Sequence, residues 1–303
     1  MSGLRVNLQN IEMKVSHFLS SANQHSLPTL YVVATPIGNL QDISLRALEV
    51  LKTVDAIAAE DTRHTSHLLS HFAIQKKLIA VHEHNEQQSA QILLGRLQAG
   101  ESIALVTDAG TPGISDPGAI VVDVLRDAGV NVVPVPGASA VIAALSASGI
   151  TANGFLFYGF LPASGSQRRK TLETLKDYQS TLVFYEAPHR IVESVADLCK
   201  VLGGDRRITI ARELTKTFET FHRCNLADAQ PWLEADTNQQ RGEFVLLVEA
   251  APVVEDAAVN QEAERILRLL LEDLPLKQAV KLAAEITAVK KNLLYEFALK
   301  IKE

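Results

Sequence analysis

From Thr29 to Gly149 the chain alternates short β-branched apolar runs with longer segments whose apolar residues recur at helical spacing. Leu30–Ala34, Asp55–Ala59, Ser102–Val106 and Asn131–Pro134 read as strands. Between them, Ser44–Lys52, part of His82–Gln98, Pro117–Asp127 and Ser139–Ser148 read as helices. This alternation predicts a mainly parallel, doubly wound α/β sheet, in which ligands bind beyond the carboxyl ends of the strands. A second α/β unit follows, with strands over Phe155–Gly159, Thr181–Tyr185, Ile208–Ala211 and Glu243–Val248. Thr151–Gly154 is the expected hinge and Ala251–Asp256 the expected linker. Beyond the linker the pattern is helical over Glu262–Leu271, Leu276–Ile286 and Lys290–Ile301, with Leu293, Phe297 and Ile301 on one face of the last. The expected organisation is thus a flexible polar extension over 1–28, α/β domains over 29–150 and 151–252, and a helix-turn-helix-like tail over 260–303.

A length of 303 residues suits two domains plus a small appendage. With 47% hydrophobic and 21% charged residues the composition is that of a soluble globular protein. No apolar run reaches the ~18 residues of a membrane span, and the polar N-terminus lacks a secretory signal, so a cytoplasmic location is expected. Cys199 and Cys224 stand apart with no CxxC partner, which suggests neither a disulfide framework nor a zinc site. The net charge of −6 argues against nucleic acid as a partner, but the charge is uneven. Leu274–Glu303 carries six Lys against three Glu, and Arg168, Arg169 and Lys170 form a second basic cluster. Each cluster is also what a solvated helix face looks like.

Candidate chemistry sits where strands end. Four loops concentrate Gly, Pro and polar residues there: Ala34–Leu40, Ala59–Arg63, Thr107–Gly118 and Val135–Ala140. The third holds three Gly and two Pro in twelve residues. Gly lets backbone approach a ligand and Pro fixes a turn without a donor. Neither GxxxxGK[ST] nor GxGxxG is present, so a phosphate cradle is not indicated.

The runs Tyr31-Val-Val-Ala-Thr-Pro-Ile-Gly-Asn-Leu40, Ala59-Glu-Asp-Thr-Arg63, Thr107–Gly118, Pro136-Gly-Ala-Ser-Ala140 and Tyr185-Glu-Ala-Pro-His-Arg190 resemble the ribosomal RNA small subunit methyltransferase I family, a branch of the tetrapyrrole-methylase superfamily. The resemblance extends from about Leu30 to the C-terminus. It implies a class III methyltransferase of two α/β domains, S-adenosyl-L-methionine as cofactor in the cleft between them, and a homodimer. The activity it implies is 2′-O-methylation of a cytidine ribose in small-subunit (16S) ribosomal RNA, naked or in an assembled 30S subunit. By the same resemblance Pro36, Ile37, Gly110, Thr111, Ile114, Ser115, Ser139, Ala140, Tyr185, Glu186, Leu214 and Glu243 are the expected cofactor contacts. The superfamily's Gly-Asp-Pro loop reads Gly110-Thr-Pro112 here, which distances the chain from the small-molecule branches.

Methyl transfer to a hydroxyl needs alignment and a proton acceptor. Candidate acceptors are Glu60, Asp61, Glu186, Glu213 and, from the same loops, His189; pairing of each acid with a neighbouring Arg is the equal alternative. The acidic loop Glu60–Arg63 is expected to line the cleft rather than only cap a helix. Arg63, Arg168, Arg169, Lys170, Arg190, Arg212, Lys216, Lys290 and Lys291 are the candidates for RNA phosphates. His64, His67 and His71 have helical spacing, but the chemistry needs no metal and none is expected. Two other readings remain: a corrin- or tetrapyrrole-type methylase of the same fold, and a ribosome-binding protein without catalysis.

Overall fold

A computed structural model describes residues 27–151, 154–252, 261–287 and 289–302. The extension expected over 1–28, the centre of the hinge and most of the linker fall outside these residues. By contact density the chain divides into two compact units, 1–251 and 252–303.

The first unit holds two five-stranded sheets. The first comprises β1 (Thr29–Val33), β2 (Ala56–Ala59), β3 (Lys77–Ala80), β4 (Ile103–Val106) and β5 (Asn131–Val135) in the order β3-β2-β4-β1-β5, every pair parallel. Its helices are α1 (Leu45–Thr53), α2 (Thr62–His71), α3 (Glu86–Gln98), α4 (Ala119–Asp127) and α5 (Ala140–Ser148). β2 and β4 are buried along their whole length, as a parallel strand covered on both faces must be. Ala47, Val50 and Leu51 of α1 and Leu69 of α2 fill one face; Leu93 and Leu97 of α3 and Val121 and Leu125 of α4 fill the other.

The second sheet is mixed. It comprises β6 (Phe155–Phe160), β7 (Thr181–Glu186), β8 (Arg207–Arg212), β9 (Thr220–Asn225) and β10 (Phe244–Val248) in the order β6-β7-β10-β8-β9. Only β6 and β7 are parallel. Helices α6 (Gly165–Leu175), α7 (Ile191–Leu202) and α8 (Leu226–Ala235) cover one face through Leu172, Val195, Leu198 and Leu233. The other face is covered by α5, whose Val141 and Ala144 pack on Val183, Ala211, Val245 and Leu247. The helix read from sequence as the close of the first domain therefore serves the second sheet. Its run Ala-Val-Ile-Ala-Ala-Leu is apolar all round, so the spacing alone does not single out the buried face, and Ile142 stays exposed.

The second unit contains α9 (Gln261–Asp273), α10 (Leu276–Thr287) and α11 (Lys291–Lys302). Ala263, Leu267, Ala279, Val280, Ala283, Leu294 and Ala298 form its own core. On α11 the buried stripe is Leu294 and Ala298; Leu293, Phe297 and Ile301, the face expected from the spacing, are its half-buried flank. No helix among the described residues is long and apolar enough to cross a membrane.

Candidate active site

The loops after β1 and β4 are locked together at their origin. Thr35 and Gly110 exchange backbone hydrogen bonds, Thr35 N to Gly110 O at 2.8 Å and Gly110 N to Thr35 O at 3.1 Å. The Thr35 hydroxyl donates to Thr107 O at 3.1 Å, and that of Thr111 to Ala138 O at 3.1 Å. Three of the four strand-end loops thus share one frame. Gly110 has φ +80, a backbone conformation that disfavours a side chain, and a Cβ there would touch Ile37. The 107–118 loop is closed from below by buried Glu86 of α3, which accepts from Gly118 N at 2.9 Å and Ile120 N at 3.2 Å and so caps α4.

Above this frame lies a cavity of about 370 Å³. The first sheet's loops contribute Ile37, Ala109, Gly110, Thr111, Ile114, Asp116, Ser139 and Ala140, and the second sheet contributes Phe160, Tyr185–Pro188, Leu214 and Glu243–Val245. Most of the expected cofactor contacts are among them. Pro36 and Ser115 are not. Pro36 is buried behind Ile37 where β1 ends. Ser115 adopts φ +62 and packs against Gly159, a bulge position of β6 with φ +85; a Cβ on Gly159 would come within 2.8 Å of the Ser115 hydroxyl oxygen. Asp116, Phe160, Pro188 and the β10 backbone were not anticipated. Asp116 is in the very loop singled out, but its neighbours in space come from sequence far away.

The carboxylates divide sharply. Asp61 caps α2: its Oδ1 accepts from Arg63 N at 2.8 Å, and the Arg63 guanidinium chelates it at 3.2 and 2.9 Å. The Arg63 hydrogen bonds hold its carboxyl at about 2, far too weak a base. Neither Glu60 nor Asp61 lines the cavity, which corrects the expectation for that loop. Glu60 and Asp108 instead join two loops, Asp108 N donating to Glu60 Oε2 at 3.3 Å and Asp61 N to Asp108 Oδ1 at 3.1 Å. Burial raises the Glu60 carboxyl, helped by the charges of Asp108 and Asp61 and opposed by the Asp108 hydrogen bond.

Glu186 is buried and fully engaged, accepting from Ala187 N at 2.8 Å, Arg190 Nε at 3.0 Å and the Ser194 hydroxyl at 2.5 Å. Glu213, at φ +51, accepts from Lys216 Nζ at 2.8 Å and Glu243 N at 3.0 Å, and lies over Gly242, where a side chain would collide with its carboxylate. Burial works against its ionisation, but the Lys216 and Glu243 hydrogen bonds prevail and hold the carboxyl below its usual value. Both carboxylates are taken up by hydrogen bonds that fasten neighbouring segments. Asp116 differs: half-buried in the cavity wall, it has no hydrogen-bond partner among the described residues. Burial and the charges of Glu60 and Asp108 push its carboxyl up to about 7.

The basic residues sort in the same way. Arg168 is a correction, its side chain only 3% exposed and tied to Asp197 at 2.7 Å and Glu193 at 3.6 Å. Arg190 is spent on Glu186 at 2.8 Å, and Lys216 is shared between Glu213 and Glu243 at 2.8 and 3.0 Å. Arg212 braces the loops that precede β9 and β10, through Phe218 O and Arg241 O. Arg63 is 88% exposed despite its pairing, and Lys170, Lys290 and Lys291 are exposed; Arg169 is half-exposed beside Asp197. Thr62, Arg63, Ser66 and His67 of α2 line a shallow basin with Leu78. His64, His67 and His71 are exposed on that helix, and His189 is exposed after β7.

Residues 29–230 match the family of Tetrapyrrole (Corrin/Porphyrin) Methylases, and residues 257–302 match the RsmI C-terminal HTH domain. The chain is 55% identical to ribosomal RNA small subunit methyltransferase I of Pseudomonas aeruginosa over 276 residues, covering 90% of this chain and 98% of that one. Against the Vibrio cholerae protein of the same name the identity is 53%, covering 90% and 94%. Among solved structures, the methyltransferase CobJ superposes with a TM-score of 0.56 at 19% identity, covering 73% of this chain and 94% of that one. Diphthine synthase gives 0.54 at 16%, covering 73% and 90%. Thermus thermophilus uroporphyrin-III C-methyltransferase complexed with S-adenyl homocysteine gives 0.52 at 19%, covering 72% and 96%.

Proposed function

This chain belongs to the ribosomal RNA small subunit methyltransferase I family of the tetrapyrrole methylases, and we propose on that premise that it 2′-O-methylates a cytidine ribose of small-subunit (16S) ribosomal RNA with S-adenosyl-L-methionine. The observation that carries the reading is the cavity between the two sheets, built from the strand-end loops of the first and from residues of the second. Its chemistry suits the cofactor. Ile37, Ile114, Leu214 and Val245 offer an apolar surface for a purine, Asp116 brings a carboxyl without an ion-pair partner among the described residues, and no described Lys or Arg is in the lining. The cofactor supplies an activated methyl on a positively charged sulfur; the protein's task is to align the ribose oxygen with it, exclude water and receive a proton.

RNA is a polyanion and the chain as a whole is acidic, so exposed cationic side chains must hold the phosphates. Arg63, with Ser66 and His67 beside it, together with Arg169, Lys170, Lys290 and Lys291, are the donors that remain unburied. A substrate of this kind places the protein in the cytoplasm, and the RNA is presented naked or within the 30S subunit. A homodimer is the assembly the family resemblance supports, and exposed Phe155, Tyr158 and Phe160 on edge strand β6 offer apolar surface for it.

Calorimetry with S-adenosyl-L-methionine, followed by mapping of ribose methyls on 16S RNA from a strain lacking the gene, tests the reading. Binding of the cofactor and loss of one cytidine 2′-O-methyl, restored by purified protein on RNA or on 30S particles, is expected. No cofactor binding favours the non-catalytic ribosome-binding alternative, and an unaltered methyl map points to a small-molecule substrate.

A further inference from the structure

Among the acids of the site, four are already committed. Asp61 is chelated by Arg63, Glu186 by Arg190 and Ser194, Glu213 by Lys216, and Glu243 by Lys216. For Asp61 and Glu213 the partnership also holds the carboxyl below its usual value, since a carboxylate receiving charge-assisted hydrogen bonds resists taking up a proton. Asp116 is the exception. It stands in the wall of the cavity, at the C-terminal edge of the parallel sheet, without a hydrogen-bond partner among the described residues. Two further carboxylates, Glu60 after β2 and Asp108 after β4, act on it through space, and Tyr185 of β7 feels its charge from the other sheet. Glu60 in turn faces His64 and Asp61 of the α2 terminus.

We propose that the Asp116 carboxylate takes the proton from the attacking ribose hydroxyl, with Glu60 and Asp108 as its flanking charges. The inference rests on the ribose-methylation reading above. As the 2′-oxygen bonds to the methyl carbon, the carbon–sulfur bond breaks and its electron pair returns to sulfur. The hydroxyl proton passes to an Asp116 oxygen, from which solvent removes it. Like charges near a half-buried carboxylate make it a stronger base than an isolated aspartate, and a proton acceptor works best when its affinity for the proton matches the working pH. Asp116, pushed up to about 7, meets that condition. Glu60 touches neither the cavity nor, on this assignment, the substrate; it acts through Asp116 and is a positioning residue.

The full chain tests this in two ways. Carbon NMR of aspartate-labelled protein without ligands reads the carboxyl directly. One resonance should titrate near pH 7, vanish in Asp116→Asn, and move to lower pH in Glu60→Gln. Single-turnover methyl transfer at saturating RNA and cofactor gives the second readout. The wild-type rate should rise with pH and level off near neutrality. Asp116→Asn should lose about 10²–10⁴-fold in rate and the pH limb with it, the usual range for a removed general base. Glu60→Gln should move the limb to lower pH. The proposal is overturned if no aspartate titrates near neutrality, if Asp116→Asn keeps its rate, or if Glu60→Gln is the variant that abolishes transfer. A wild-type protein that binds no cofactor fails the underlying reading instead, and the NMR titration still reports on Asp116 by itself.

Discussion

Asp116 carries a cost that is separable from catalysis. An aspartate in an unfolded chain ionises at about 4, whereas the folded protein holds this proton to about 7. Between those values the folded state binds more protons than the unfolded one, so stability falls as pH rises. The stabilisation from the neutral carboxyl is complete below pH 4 and gone above 7. Asp116→Asn is therefore expected to melt a few degrees above wild type at pH 8 and at the same temperature at pH 4, by scanning calorimetry; a difference independent of pH would refute it. Arg168 makes the opposite case. Removing one partner of a buried ion pair leaves the other charge uncompensated and costs about 3–5 kcal/mol. Arg168→Ala leaves Asp197 with the half-exposed Arg169 at 2.9 Å, so the loss should be smaller than that, a lowering of the melting temperature by a few degrees, while Lys170→Ala two positions on should leave it unchanged. The sequence shows three consecutive cations at 168–170 and nothing more. Which of them faces inward depends on Asp197 of α7, and no local pattern contains that fact.

At the scale of elements, the parallel sheet was legible because its strands are continuous β-branched or alanine-rich runs with helices of regular period between them. Of the four edge strands, β3 and β9 were not. Lys77-Leu-Ile-Ala80 is short and begins on a charge, and Thr220-Phe-His-Arg-Cys-Asn225 alternates without a dominant apolar face. Edge strands tolerate such sequences because one side is left open to solvent. The role of α5 was hidden for a different reason: an apolar run on every side does not say which face is buried or against which sheet. The cavity was legible as strand-end loops, whereas its second wall depends on a bulge. Gly159, at φ +85, lets the 107–118 loop seat Ser115 against β6. In Gly159→Ala the added Cβ meets the Ser115 oxygen in a backbone conformation that side chains resist. Cofactor affinity should fall more than about tenfold while the secondary structure by circular dichroism is retained. Combining it with Ser115→Gly should recover part of the affinity, because that removes the collision but leaves the backbone strain. Full recovery, or none, would show that the bulge does not position this loop.

For the whole molecule the governing fact is a net charge of −6 on a protein whose proposed substrate is a polyanion. Mean charge repels RNA, so binding has to rest on a few placed cations, and their number is measurable. Each phosphate neutralised releases condensed counterions, which gives log affinity against log salt a slope of about −0.7 per contact on single-stranded RNA. The C-terminal unit has a core of its own in Leu267, Val280 and Leu294, leaving Lys290 and Lys291 exposed at the start of α11. These exposed side chains stand outside that core, so neutralising them should not unfold it. Lys290→Gln with Lys291→Gln is expected to weaken binding of 16S RNA and to flatten the salt slope by about 1.4 if both lysines meet phosphates. Cofactor affinity by calorimetry should not change, since neither residue lines the cavity. A variant with the wild-type salt slope would remove α11 from the RNA-binding surface and leave that role to Arg63 and Lys170 on the α/β unit. A variant with altered cofactor affinity would mean that the two compact units are coupled in function.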